Sequence, residues 1–212
     1  MHKHLLTALT LCGIMGFSAF STPFTAYAAY EKDTSGVYRM EDGTAIENVY
    51  ARGIDVSHWK QDIDWNAVAA DDVSFVMLGT RYQGAVDPYF RINTEGAHNA
   101  GIAIGAYIYS YATTPEMAEA EADFVLDLIK DYPISYPVAF DVEDNGTLGT
   151  LTPAQVSEII NAFCKKIEDA GYYPIVYAND NWLANKIDMS AIDYDVWVAR
   201  YGRQPAYENP VM

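Results

Sequence analysis

The chain has 212 residues, half of them hydrophobic, and a formal net charge of −16. This length is sufficient for one domain with a large core. Because no basic stripe is present to neutralise phosphates, the charge argues against a nucleic-acid partner. The 17 tyrosines and four tryptophans favour a neutral or acidic polymer held by ring stacking and hydrogen bonds. Composition leaves the oligomeric state open.

Residues 1–28 have the pattern of a secretory signal peptide. A basic start is followed by an apolar stretch without acids at 5–20, and Ala26 and Ala28 supply the small-x-small cleavage pattern. The apolar stretch is short for a membrane span. We therefore expect a secreted or cell-wall-associated protein with no membrane contact after cleavage. Cys164 would then be the one remaining cysteine, and its apolar helical neighbours predict a buried, inert thiol.

The mature chain divides into a lead-in and a domain. Residues 29–52 are polar and interrupted by glycine, which predicts an extended lead-in or linker. From 53 to 212, short β-rich runs alternate with helical segments, and this alternation argues for a parallel sheet covered by helices. Strands are predicted at 53–57, 73–80, 102–110, 137–143, 174–179 and 195–201. Helices are predicted at 89–100, from Thr114-Pro115, and from a capping box at Thr152 to Gly171.

Two carboxylates close the fourth predicted strand. Asp141 and Glu143 are two residues apart, so both project to one face of the strand. Their repulsion raises one pKa and leaves the other group ionised, which separates a proton donor from a charge stabiliser. Hydrolysis of a glycosidic bond uses such a pair. The alternative is a solvated acidic strand end. Asp55 lies within the first predicted strand, on the same face as Gly53 and Ser57.

Polar and aromatic side chains also occupy the carboxyl ends of the other predicted strands. In β/α barrels this rim carries the active site. The three acids would be suitable oxygen ligands for Mg²⁺ or Ca²⁺ if they converged. The sequence has no zinc-type spacing, and we predict neither a metal nor another cofactor. The rim residues are Tyr107, Tyr109, Tyr177, Asn179, Trp197 and Tyr201.

Five sequence blocks, in order, resemble those of the glycoside hydrolase family 25 muramidases. They are residues 53–59 (GIDVSHW), 105–107 (GAY), 137–143 (PVAFDVE), 171–177 (GYYPIVY) and 197–202 (WVARYG). The resemblance extends from residue 53 to about residue 210. It implies an α/β fold, a flattened and irregular TIM-like β/α barrel. It also implies hydrolysis of the β-1,4 bond between N-acetylmuramic acid and N-acetylglucosamine in bacterial peptidoglycan.

Carried over by position, the resemblance assigns roles to the acids. Glu143 would be the general acid, and Asp141 would stabilise the intermediate formed by the substrate's own acetamido group. Asp55 matches the family's acid on the first strand. Tyr107, Tyr177 and Trp197 match the lining of the sugar groove, and strand position adds Tyr109 and Tyr201 as substrate-binding candidates.

The chain departs from the family pattern at its end. The family continues past residues 210–212 into a last strand, and six predicted strands are too few to close a barrel of eight. We therefore expect a C-terminally incomplete domain with an open edge at its first strand. Two alternatives stay open: a silent peptidoglycan-binding domain and another retaining, chitinase-like glycosidase. His58 is expected to be a capping or surface histidine, and Asp144 to face solvent or cap a turn.

Overall fold

The computed structural model describes residues 7–9, 31–40, 42–201 and 204–212. The predicted signal peptide lies outside the described residues except at 7–9. The strands, in chain order, are β1 Thr7–Leu9, β2 Glu31–Lys32, β3 Tyr38–Arg39, β4 Val49–Val56, β5 Phe75–Gly79, β6 Arg81–Tyr82, β7 Ala85–Val86, β8 Ala103–Tyr109, β9 Ile134–Asp141, β10 Pro174–Asn179 and β11 Asp195–Ala199. The helices are α1 Trp65–Ala70, α2 Phe90–Asn99, α3 Pro115–Ile129, α4 Pro153–Asp169 and α5 Asp180–Asn185, with 3₁₀ turns at His58–Lys60, Leu148–Thr150 and Met189–Ala191.

A parallel sheet organises the domain. Its order is β1-β4-β5-β8-β9-β10-β11, and every neighbouring pair in it is parallel. The six strands from β4 to β11 form a curled half-barrel, which confirms the predicted α/β, incomplete TIM-like architecture. Right-handed crossover helices are the usual way to connect parallel neighbours, and α2, α3 and α4 provide the long ones here.

The sheet has a core on each face. The larger core lies between the strands and the helices, where Phe140 of β9 stacks on Phe163 of α4 with ring centroids 4.2 Å apart. Cys164 is buried in this layer, as predicted, and burial raises the pKa of its thiol. The smaller core fills the concave face. Its buried members are Phe75, Met77, Ala139, Ile175, Trp197, Val211 and Met212.

Local sequence signals account for the starts of the two longest helices. Thr114 accepts a hydrogen bond from the backbone N–H of Met117, and Pro115 occupies the first turn of α3. At α4, Thr152 and Gln155 form the complete predicted capping box. These caps fix where each helix leaves the carboxyl end of the preceding strand.

Both edges of the half-barrel carry additional backbone pairing. β4 starts at Val49, earlier than predicted, because β1 pairs with its first half, from Val49 to Arg52. The edge that we expected to be open is thus covered there by residues of the predicted signal peptide. At the other edge, Val211 donates to the carbonyl of Val196, and the carbonyl of Met212 accepts from Val198. The last two residues therefore lie beside β11.

The lead-in contains a small hairpin, β2–β3. Asp33 accepts hydrogen bonds from the backbone N–H groups of Ser35 and Val37, and its other oxygen binds Arg39 at 2.7 Å. The hairpin docks on the domain because the Tyr38 hydroxyl donates to Asp72 at 2.6 Å. Its small core is Tyr38, Met40 and Ile46. Within the described part of the chain, no helix is both long and apolar enough to cross a bilayer.

Candidate active site

Three of the predicted site residues meet at the edge where the strands end, here called the carboxyl rim. Asp141 is the last residue of β9, and the sheet register places it beside Tyr109 of β8 on one side. Tyr177 of β10 lies beside it on the other side. The parallel sheet therefore brings these side chains together, although they come from three separate segments of the chain.

Asp141 is the most deeply buried of the three predicted acids. It is 7 % exposed, and its Oδ1 atom is buried without a hydrogen-bond partner among the described residues. Burial raises the pKa of Asp141 well above 3.8, and the negative charges of Glu143 and Asp55 raise it further. Asp141 therefore keeps its proton to a higher pH than a solvated aspartate does.

Glu143 lies two residues beyond the end of β9, whereas the sequence predicted that the strand would include it. Its Oε1 atom accepts hydrogen bonds from Asn179, at 3.0 Å from the backbone N and 2.5 Å from Nδ2. Burial raises the pKa of Glu143, and these two bonds oppose the rise because they favour the ionised form. Since both bonds converge on Oε1, a proton on Glu143 is directed to Oε2.

Asn179 is the site residue whose role sequence reasoning missed. It ends β10, and its Oδ1 atom also caps α5 by accepting from the N–H groups of Asn181 and Trp182. An asparagine between a strand and a helix is a recognisable N-cap signal. The sequence placed Asn179 at the rim, and that signal could also have indicated its cap, but its amide contact with Glu143 depends on the packing of β9 against β10.

Asp55 lies on β4 and completes the acidic group. Its Oδ2 atom is buried and finds no hydrogen-bond donor in the part of the chain that the structure describes. Burial raises the pKa of Asp55 to about 6, while the charge of Lys60 lowers it. The Asp55 charge in turn raises the pKa values of Asp141 and Tyr107. The three predicted acids thus lie close enough to interact.

The predicted tyrosines surround these acids. Burial and the Asp55 charge raise the pKa of Tyr107, whose hydroxyl interacts with Ser57. Burial and the charge of Glu143 likewise raise the pKa of Tyr177. The Tyr109 hydroxyl donates to Asp144 at 3.3 Å. These hydroxyls stay neutral and can donate hydrogen bonds at any ordinary pH.

Trp197 and Tyr201 differ in their access to solvent. Trp197 is 4 % exposed and packs edge-on against Tyr177, with ring centroids 4.5 Å apart, as part of the concave core. Tyr201 is exposed and interacts with Tyr177. Direct sugar contact by either residue stays a prediction.

Asp144 and His58, for which the sequence predicted capping or surface positions, both form hydrogen bonds. Asp144 caps the turn after β9, as one of the predicted alternatives stated, by accepting from the N–H and hydroxyl of Thr147. His58 is not a surface histidine. Its Nδ1 atom lies 2.9 Å from Oδ2 of Asp87, and its ring packs against Tyr82 at 3.7 Å between centroids, with the ring planes tilted by 36°. The sequence could not indicate this pairing, because Asp87 follows 29 residues later.

Metal ligands do not cluster in the described ranges, where no group of three or more His, Cys, Asp or Glu residues is arranged to hold an ion. A cavity of about 360 Å³ lies at the opposite end of the sheet from the acids. Its walls come from the amino ends of β9 and β10 and from the last two residues, Val211 and Met212.

Comparison with known proteins identifies the family. Residues 54–212 match the model of Glycosyl hydrolases family 25. The autolytic lysozyme of Clostridium acetobutylicum is 29 % identical over 152 residues, which are 71 % of this chain and 45 % of that protein. The uncharacterized protein YegX of Escherichia coli K12 is 28 % identical over 211 residues, 93 % of this chain and 76 % of the relative.

Solved structures share the fold. The modular autolysin LytC from Streptococcus pneumoniae has a TM-score of 0.74 and 25 % identity, over 87 % of this chain and 46 % of LytC. A family 25 glycosyl hydrolase from Bacillus anthracis has a TM-score of 0.67 and 20 % identity, over 77 % and 76 % of the two chains. Like the autolytic lysozyme, LytC is matched over less than half of its length. Since the family match covers most of the sequence, this chain belongs to the glycosyl hydrolases of family 25, as its sequence blocks predicted.

Proposed function

We propose that the chain is a secreted peptidoglycan hydrolase that cleaves the β-1,4 bond between N-acetylmuramic acid and N-acetylglucosamine. The observation that carries this proposal is the group of three interacting acids, Asp55, Asp141 and Glu143, at the carboxyl rim of a family 25 half-barrel. The relatives support the substrate class: one is an autolytic lysozyme, and LytC was solved in complex with a synthetic peptidoglycan ligand.

In this proposal Glu143 is the general acid. Its raised pKa helps it to hold a proton, and the Asn179 bonds to Oε1 direct that proton to Oε2. Glu143 lies beyond the strand end and less deeply than Asp141, so it can approach the oxygen of the leaving sugar. After transferring its proton to that oxygen, the resulting carboxylate activates the water that completes hydrolysis.

Asp141 would act on the substrate's acetamido group. In a substrate-assisted reaction the acetamido oxygen attacks the anomeric carbon as the glycosidic bond breaks, and positive charge develops on the ring formed. An ionised Asp141 orients the acetamido N–H and stabilises that charge. Its own pKa is raised by burial and by both neighbouring acids, so the group releases its proton at a higher pH than a solvated aspartate. The acids therefore titrate as a coupled set.

The remaining predicted residues would hold the glycan. Tyr107, Tyr109 and Tyr177 supply neutral hydroxyl donors around the acids, and Trp197 supports Tyr177 from the core side. Tyr201 adds an exposed ring at the β11 end of the rim. Asp55 contributes negative charge behind Asp141. No cofactor is needed for this reaction.

Secretion is part of the same proposal. The substrate lies outside the cytoplasm, and residues 1–28 carry the charge, apolar stretch and small-residue pattern of a cleaved signal peptide. Cleavage would remove β1 and uncover the edge of β4 with which it pairs. The bacterial cell wall is then the proposed place of action and peptidoglycan the proposed partner.

The deciding experiment is reducing-end release from purified peptidoglycan, with mass spectrometry of the products. New muramic acid ends support the proposal, whereas new glucosamine ends indicate another glycosidase specificity. Glu143→Gln should abolish release and keep wall binding, while Asp141→Asn should lower the rate at least a hundredfold, on the order of an electrostatic stabiliser's contribution. Glu158→Gln, an exposed position on α4, is the matched control. Wall binding without release by the unaltered chain would instead identify a silent binding domain.

A further inference from the structure

We propose that Trp59 and Tyr82 form a sugar-stacking platform that binds one further residue of the glycan strand, beyond the sugars held at the acids. The inference rests on the proposed function and extends it to a second contact region at the β4–β5 end of the rim. The platform consists of these two side chains and the His58 ring between them.

The platform lies on the same side of the sheet as the acids. The 3₁₀ turn His58–Lys60 follows the carboxyl end of β4 directly, three residues after Asp55. The hairpin β6–β7 follows the carboxyl end of β5 in the same way and carries Tyr82. Consecutive βα loops of a barrel border one another at this rim, and ligands bind there.

The rings contact each other but leave one face open. His58 lies 3.7 Å from the Tyr82 ring and 4.5 Å from the Trp59 ring, measured between centroids. Trp59 meets Tyr82 edge-on at 6.2 Å. Trp59 nevertheless stays 65 % exposed. A tryptophan that served only the core would bury most of its surface, since large aromatic side chains gain stability from the area they bury.

Asp87 fixes the position of His58, whose ring contacts both of the other rings in the platform. The buried Asp87 carboxylate accepts hydrogen bonds from both the backbone N and Nδ1 of His58, each at 2.9 Å. Asp87 is itself fixed because its backbone N–H donates to the carbonyl of Thr80. His58 is thus a positioning residue for two rings, and rings ordered before binding lose less entropy when a ligand arrives.

The hairpin is anchored by a second partly buried contact. Arg81 forms an ion pair with Glu121 of α3 at 2.7 Å and also donates to the carbonyl of Tyr109. Glu121 is further held by the Ser110 hydroxyl. This anchor ties the base of the hairpin to the end of β8, close to the acids.

Side-chain contacts lead from the candidate cleft to the base of the hairpin that carries Tyr82. Tyr109 packs against Tyr111 with ring centroids 5.1 Å apart, and the Arg81 guanidinium lies 5.2 Å from the centre of the Tyr111 ring. Arg81 adjoins Tyr82 in sequence. Contacts therefore run from Tyr109, the neighbour of Asp141, through Tyr111 to Arg81, the residue that precedes Tyr82 in β6. Exposed apolar patches that continue a polar cleft are typical of ligand-binding grooves.

The chemistry of the platform fits an uncharged hexosamine. Pyranose rings and acetamido methyl groups present apolar C–H faces, which pack on flat aromatic rings, while sugar hydroxyls stay in water. The strongly negative chain would gain nothing from the lactyl carboxylates of the glycan. The structure therefore assigns the platform to stacking, with N-acetylglucosamine as its expected occupant.

The test compares binding of tetrasaccharide and octasaccharide peptidoglycan glycans by calorimetry, in the non-cleaving Glu143→Gln chain. Trp59→Ala should weaken octasaccharide binding about tenfold, as loss of an anchoring aromatic does, and change tetrasaccharide binding less than about twofold. Trp59→Phe keeps a ring and should restore most of the affinity. Tyr50→Ala is the matched control, because Tyr50 is also 65 % exposed but lies in the first half of β4, away from the rim.

The outcomes separate this inference from the proposed function. Unchanged octasaccharide binding in Trp59→Ala overturns the platform, and so does an equal loss in Tyr50→Ala. Failure of the Glu143→Gln chain to bind either glycan, together with no release by the unaltered chain, overturns the proposed function and the platform with it. Thermal unfolding of each variant shows whether a loss of binding comes from a loss of stability. Binding by the Trp59→Phe chain, which keeps a ring at this position, is a second control for the same question.

Discussion

Replacing Asp55 with asparagine should stabilise the chain at neutral pH. Burial raises the pKa of this carboxyl from 3.8 to about 6, because its ionised form loses hydration without gaining a hydrogen bond at Oδ2 from the described residues. A tenfold change in a proton-binding constant corresponds to about 1.4 kcal/mol, so the ionised group lowers the free energy of unfolding by about 3 kcal/mol. Asp55→Asn removes the charge while keeping nearly the same shape.

The effect has a defined pH window. Below pH 3.8 the carboxyl is protonated in the folded and unfolded chain alike and imposes no penalty. Between 3.8 and about 6 the folded chain keeps a proton that the unfolded chain releases, so stability falls as pH rises. Above this window both states are ionised and the full penalty remains. The stabilisation by Asp55→Asn should therefore appear through this window and be complete above it.

Urea unfolding at several pH values measures this directly. At pH 8, Asp55→Asn should raise the free energy of unfolding by up to about 3 kcal/mol, and at pH 3.5 by less than about 0.5 kcal/mol. The exposed Asp62→Asn variant is the control and should show no such dependence on pH. An equal gain at both pH values, or a loss at pH 8, would show that the ionised Asp55 carboxylate does not destabilise the folded chain.

Three further predictions concern other contacts. Asn179→Ser keeps an N-cap hydroxyl but removes the amide donor to Glu143, so the pKa of Glu143 should rise and the alkaline limb of the activity profile should move to higher pH. Arg81→Ala leaves a largely buried carboxylate without its cation and should lower the free energy of unfolding by about 3 kcal/mol in urea titrations, whereas Arg91→Ala, at an exposed ion pair, should leave it nearly unchanged. Thr152→Ala removes the capping box and should lower it by about 1 kcal/mol, measured in the same way.

Most of the fold was predictable because its signals are local. The Thr152 cap and the apolar stripe of α4 identify that helix by themselves, and β10 was predicted with its observed bounds, 174–179. The start of β4 was not predictable, because its first half depends on pairing with β1, some forty residues earlier. The hairpin β2–β3 was missed for a related reason. Its turn is held by Asp33, whereas its docking depends on the distant Asp72.

The candidate site, like the fold, was predictable where its signals are local and not where they depend on distant residues. The predicted strand end placed Asp141 at the carboxyl edge of the sheet, and the parallel topology added the tyrosines. Glu143 lies two residues beyond β9, outside the strand to which the alternation argument assigned it. The hydrogen bonds that define the proton-bearing oxygen of Glu143 could not be predicted, because Asn179 lies 36 residues away. The pairing of His58 with Asp87 was hidden for the same reason, since side-chain contacts between loops follow from three-dimensional packing and leave no periodic pattern.

The arginines near the rim form salt bridges with acids outside the candidate site, and this influences which reactions the site favours. Arg81 and Arg200 lie near the rim, yet each is paired with another acid, Glu121 and Asp180 respectively. The negative charge that the group of Asp55, Asp141 and Glu143 carries once the two aspartates ionise is thus not neutralised by a salt bridge in the described residues, and the raised pKa values of the acids reflect its cost. A reaction that builds positive charge at an anomeric carbon gains from that field, because fixed charges stabilise a transition state without reorganising. The same field would oppose a reaction that builds an oxyanion, which is why the arrangement favours glycoside cleavage over acyl transfer.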